Sequence, residues 1–253
     1  MLGNFNNYYC INKNKLNMKK AVVLFITILS LSNISISNPI PTKMEKEKII
    51  YVYDPMCGWC FGFGKVMEQF FEEYKDTFDF DVISGGMNVG EREGEVGDFA
   101  DYILGAYTRV EEYSGMKFGE SYLSQLRTKK LWLSSVKPSI ALEVFKSFNK
   151  KDVVHFSHQI QKAFFINGTD LREDNVYKDL IKPYQIPEKE FIEKLKSEEY
   201  RKSATDGFQT AANWGVTGYP MVIYIHNNTY YAIAKGFTDL KTLKETLKKV
   251  QAK

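Results

Sequence analysis

The chain has 253 residues, of which 44% are hydrophobic, 15% aromatic and 26% charged, a make-up that builds a packed core and excludes a disordered or low-complexity protein. Its net charge of +3 rests on Lys13, Lys15, Lys19 and Lys20 near the N-terminus. Beyond them acidic and basic residues nearly cancel, which excludes the basic face that nucleic-acid binding requires.

Residues 1–37 read as a signal peptide, with Met18 as the initiator. Met18-Lys19-Lys20 gives a positive start, residues 21–31 an apolar run, and Ser35 and Ser37 the small residues before a cleavage at Asn38. The run is shorter than the roughly 20 residues that span a bilayer. The expectation is therefore export, to a periplasm or out of the cell. Cys10 falls in the removed segment, so the mature chain keeps only Cys57 and Cys60 and has no disulfide framework. Residues 38–47 form a polar linker.

The apolar, β-branched run 49–53 predicts a buried strand. A helix follows, on which Phe63, Val66, Met67, Phe70, Phe71 and Tyr74 share one face. Residues 78–84 predict a second strand, and five glycines between 85 and 97 open a loop. From about 98 to 200 the pattern is helical, with no strand. Helices are expected around 102–107, from Pro138 to Phe148, from Val153 to Phe165, over 175–181 and 188–195, and over 196–214. Strand character returns at 221–226, turns at Asn227-Asn228 and continues over 230–234. A last amphipathic helix covers 239–251.

The chemistry centres on Cys57-Gly58-Trp59-Cys60. This CxxC lies just past a strand and opens a helix, so the first thiol sits among unpaired helix N–H groups that favour a thiolate. Such sites draw a cysteine pKa from about 8.5 to as low as about 3.5, and the thiolate is the species that attacks disulfides. Zinc needs roughly four ligands, and His155, His158 and His226 supply no second pair; His155 and His158 read as polar-face helix residues. No metal is expected. A ring closed over two residues constrains little of the unfolded chain, so an inert crosslink is a poor reading. A second motif, Gly215-Val216-Thr217-Gly218-Tyr219-Pro220, runs straight into the 221–226 strand, and a cis Tyr219–Pro220 bond accounts for proline there.

Together these residues resemble the thioredoxin-fold family, and within it the DsbA-like branch. DPMCGWCFGF at 54–63 is similar to the active-site segment of its FrnE-type and disulfide-isomerase subgroup, GVTGYP at 215–220 to its cis-proline loop, and QKAFFINGTDL at 161–171 to a segment of its inserted domain. The resemblance implies an α/β thioredoxin fold with a large all-helical insertion between the second strand and the cis-proline strand. Residues 48–97 and 199–253 would form the thioredoxin-like part and 98–198 the insertion. It implies Cys57 as nucleophile, Cys60 as resolving thiol and Pro220 packed on the pair, with Gly58 and Trp59 tuning the potential. The Tyr219 backbone would hold an extended substrate, and Phe61 with Tyr219 would line an apolar rim. Partners would be cysteine-containing proteins and an unidentified redox partner, and no cofactor is needed beyond the cysteine pair.

One position departs from the pattern. Many relatives carry a buried acid six residues before the first cysteine, where this chain has Tyr51; Asp54 is the nearest acid, and it caps the turn before Cys57. Two other readings stay open. One is a glutathione-dependent transferase or chromene-carboxylate isomerase of the same fold, although these usually lack the second thiol. The other is a non-catalytic, chaperone-like binding module.

Overall fold

The computed structural model describes residues 47–252; the segment expected to be a signal peptide, Cys10 and nearly all of the expected linker lie outside them. Strand β1 (Lys48–Tyr53) is buried along its length because it runs through the middle of a four-stranded sheet, where both faces are covered. On one side it pairs in parallel with β2 (Asp79–Ser84), with Tyr53 opposite Ser84. On the other it pairs antiparallel with β5 (Met221–His226), with Val52 opposite Met221. β6 (Thr229–Lys235) closes the order β2-β1-β5-β6.

A parallel β1–β2 pair needs a crossover, and α1 (Gly58–Tyr74) supplies it. α1 shares one face of the sheet with α9 (Leu240–Gln251), whose N-cap Asp239 accepts the Thr242 N–H at 2.8 Å. α8 (Glu198–Asn213) lies against the other face, where Ala211 packs with Ile50, Val52, Val216 and Ile223.

Between β2 and β5 the chain forms α2 (Phe99–Ser114), α3 (Glu120–Arg127), α4 (Val136–Asn149), α5 (Val153–Phe165), α6 (Asp174–Ile181) and α7 (Glu188–Leu195). The helical insertion is present, with two differences from expectation. α3 was not anticipated; its buried residues are Tyr122, Leu123 and Leu126. A small ribbon of β3 (Gly94–Glu95) and β4 (Trp132–Leu133) also crosses the expected boundary at 98. One hydrophobic core runs through both parts, joining Phe63 and Phe70 of α1 to Phe145, Phe156 and Phe191 of the insertion. Phe145 and Phe156 stack with centroids 3.9 Å apart.

The histidines differ as well. His158 is not on a polar face: it is buried at 3% exposure, with Nδ1 3.0 Å from the Glu68 carboxylate of α1. Burial pulls its pKa below the ordinary imidazole value, although the Glu68 bond pulls the other way. His155 is half-buried, with Nε2 2.8 Å from Glu72.

Candidate active site

β1 delivers the chain to a turn at Asp54-Pro55. The Asp54 carbonyl accepts the Cys57 N–H at 3.1 Å and its carboxylate accepts the Met56 N–H at 2.9 Å. Cys57 is then the N-cap of α1, with extended backbone angles, and its sulfur accepts the Cys60 N–H at 3.3 Å. A capping side chain normally supplies oxygen to these amides; here sulfur does. The cis Tyr219–Pro220 bond approaches from β5, and the Tyr219 carbonyl lies 3.7 Å from Cys57 Sγ.

Both cysteines are free thiols. Cys57 is only 7% accessible, with the cis-proline loop against it, and Cys60 is 0% accessible. Burial, followed by the adjacent Cys57 thiol, pushes the Cys60 pKa well above the ordinary thiol value. Cys60 therefore holds its proton at neutral pH.

Tyr51 stands where an acid was expected. Its Oη donates to the Cys60 carbonyl at 3.4 Å in full burial. Burial, and then the neighbouring thiols, keep the phenol protonated far beyond its usual range. It offers a neutral donor beneath the pair in place of a carboxylate.

Asp54 does more than cap the turn. It is completely buried, and besides Met56 it accepts from the Met87 N–H at 2.7 Å and the Ser135 hydroxyl at 2.8 Å. Burial pushes its pKa up to about 6 against the pull of these donors. Gln161, also buried, donates to the Asp54 carbonyl at 3.1 Å and reaches the Cys57 carbonyl at 3.5 Å. The sequence reading assigned no role to Met87, Ser135 or Gln161. Gln161 alone left a trace, as the first residue of the family-like segment 161–171.

Trp59 is half-buried, its ring edge-on to Tyr113 at 6.1 Å and tilted toward Phe237 at 6.0 Å. Gly58 sits beside Phe118, whose ring would be 3.5 Å from an added Cβ. The Tyr219 hydroxyl donates to the Gly85 carbonyl at 2.8 Å. A Cβ on Gly85 would lie 2.1 Å from that ring, so glycine is required there. Pro220 is buried, and its carbonyl accepts the Gly236 N–H at 2.7 Å. Phe61 is a correction: it is 0% exposed, packed between Phe118 and Phe165 at 5.1 Å each, and cannot line a rim. Among the described residues no group of three or more His, Cys, Asp or Glu could hold a metal ion.

The family model described as thioredoxin matches residues 51–245. Among solved structures, a proposed protein disulfide isomerase from Nitrosomonas europaea superposes with a TM-score of 0.71 at 25% identity, covering 82% of this chain and 98% of that one. The cytosolic disulfide reductase DsbM from Pseudomonas aeruginosa gives 0.66 at 19% identity over 81% of this chain and 98% of its own, a likeness of fold. The ClpXP adapter protein SpxH of Halalkalibacterium halodurans is 21% identical over 194 residues, 74% of this chain, and the chain spans 62% of that relative's length. With a matched model over most of its length, the chain belongs to the thioredoxin family.

Proposed function

We propose that the chain is exported and exchanges disulfides with cysteine-containing proteins, with Cys57 as nucleophile and Cys60 as resolving thiol. The observation that carries this reading is the situation of Cys57 Sγ, capped by the Cys60 amide at 3.3 Å and 3.7 Å from the Tyr219 carbonyl. The cis-proline loop gives an adjacent extended backbone on which a substrate segment can lie.

In the reducing direction the Cys57 thiolate attacks one sulfur of a substrate disulfide. A Cys57–substrate bond forms as the substrate S–S bond breaks, and the other substrate sulfur leaves as a thiolate. Cys60 gives up its proton and attacks Cys57 Sγ. The substrate leaves as a dithiol and the enzyme pair becomes a disulfide, which a redox partner must reduce. The reverse sequence oxidises a substrate dithiol. Gly58 and Trp59, between the thiols, tune which direction dominates.

Equilibrating the pair with glutathione and measuring the oxidised fraction tests the reading. A potential near about −120 mV makes the protein an oxidant and one near about −270 mV a reductant. A pair that does not exchange with glutathione or with a disulfide-containing model protein sinks the proposal.

A further inference from the structure

Gln161 sits on α5, three residues after His158 and four before Phe165, so the three share a face. His158 lies against Gly64, and Phe165 packs 5.1 Å from Phe61, so this face runs along the first turns of α1. Gln161 is 1% exposed between them. An amide buried in this way costs free energy unless its hydrogens are used. Its nitrogen faces main-chain oxygens of the redox turn: Nε2 donates to the Asp54 carbonyl at 3.1 Å and reaches the Cys57 carbonyl at 3.5 Å.

Each of these carbonyls already has another donor. The Asp54 carbonyl accepts the Cys57 N–H at 3.1 Å, and the Cys57 carbonyl accepts the Phe61 N–H at 3.0 Å. Gln161 is therefore not meeting an unsatisfied hydrogen bond, and an apolar residue of its length would pack the same space. What the amide adds is a tie. One nitrogen holds both the residue that opens the turn and the residue that ends it. Carbonyl oxygens only accept, so the tie needs a group carrying two donors, and a carboxylate in its place would be repelled.

We infer that Gln161 is a positioning residue for the resolving step: it fixes the turn 54–57 so that Cys57, once bonded to substrate, stays within reach of Cys60. This rests on the oxidoreductase reading above. Cys60 is 0% exposed, so the mixed disulfide has to be held over it, while a substrate bonded to Cys57 Sγ pulls on the turn. In the step itself Cys60 gives its proton to water and its sulfur attacks Cys57 Sγ. The Cys57–substrate bond breaks, and the substrate sulfur leaves as a thiolate. The attacking, central and leaving sulfurs must lie nearly in line, and a misplacement of about 1 Å costs up to about a hundredfold in rate.

The experiment mixes reduced wild type, Gln161→Met and Gln161→Glu with glutathione disulfide, quenches in acid and follows the Cys57–glutathione adduct by mass. Attack makes the adduct and resolution removes it. In Q161M attack is expected to stay within about twofold of wild type and resolution to slow roughly tenfold, so the adduct accumulates. Lost packing alone lowers the melting temperature without changing that partition. Q161E adds a pH readout. At pH 8 its carboxylate faces carbonyl oxygens; at pH 5 the buried carboxyl is protonated and donates one O–H. Asp54, Cys57 and Cys60 are common to all three proteins, so rates are read as ratios to wild type at the same pH. The Q161E resolution ratio is expected to rise severalfold from pH 8 to pH 5, and the Q161M ratio to stay level. Resolution at the wild-type rate in Q161M, or a Q161E ratio that does not change with pH, overturns the inference and leaves the oxidoreductase reading standing. A wild type that neither forms the adduct nor ends as the Cys57–Cys60 disulfide overturns that reading instead. Where Q161M does not fold, the Q161E ratio decides.

Discussion

At neutral pH an alkylating reagent added to the reduced protein is expected to label Cys57 first. Its sulfur is capped by an amide, whereas Cys60 is fully buried and keeps its proton. Peptide mass mapping of short labelling times checks this. Cys57→Ser reduces exchange to background. Cys60→Ser leaves an attacking thiol with nothing to resolve it, so mixed disulfides with substrate proteins accumulate on non-reducing gels. Equal labelling of the two, with neither variant altered in exchange, removes the catalytic reading. Asp54 gives a second residue-scale prediction. Its carboxyl is raised from 3.8 to about 6, so between those values the folded chain binds a proton that the unfolded chain has lost. Stability therefore falls as pH rises through that window and levels off above it, by up to about 3 kcal/mol for this group. Urea titrations at pH 4.5 and 7.5 should show a steeper loss in wild type than in Asp54→Asn. At pH 7.5 the variant is weaker by about 1–3 kcal/mol, because a single amide oxygen cannot serve Met56 and Met87 as two carboxylate oxygens do. The pair of thiols was legible in the sequence because their spacing and the strand before them are local. The Asp54 network was not, since its partners lie 33, 81 and 107 residues away.

α1 shows where periodicity succeeds and where it stops. The face Phe63, Met67, Phe70 and Phe71 was readable at three- and four-residue spacing, and these residues are buried. Residues 60–64 are buried without a break, because α2 brings Val110 and Ser114 against Gly62, and α5 brings His158 against Gly64. No single-helix pattern encodes what a neighbouring helix will cover, and Phe61 was misread for that reason. The same packing predicts opposite outcomes for two glycines. Gly64→Ala puts a Cβ 2.4 Å from the His158 ring and is expected to destabilise by about 1–3 kcal/mol through overpacking. Gly105→Ala, inside α2 with open space around it, is expected to stabilise by about 0.5–1 kcal/mol through helix propensity. Thermal melts of the two variants should move in opposite directions; a shared sign contradicts the packing argument.

For the whole molecule, the strand–helix–strand start and the closing hairpin and helix were legible, because each carries its own period and turn residues. The β3–β4 ribbon was not, since two residues per strand have no period to read. The export expectation concerns residues outside the described structure and is checked directly. End-group sequencing of protein recovered from its native cell should find a mature terminus near Asn38. Soluble cytosolic protein still beginning at Met1 or Met18 contradicts it.

The reactive turn also has a schedule. Ser135 and Gln161, which hold Asp54, come 81 and 107 residues after it, and the Tyr219 carbonyl beside Cys57 comes 162 residues after that cysteine. Synthesis runs from the N-terminus, so a growing chain displays both cysteines well before any of these partners exists. During that interval Cys57 and Cys60 are two ordinary thiols on a flexible strand, open to exchange with the cell's disulfides. The reactive turn is thus complete only when the last quarter of the chain has been made, and until then its cysteines are clients for the kind of exchange proposed for the folded protein.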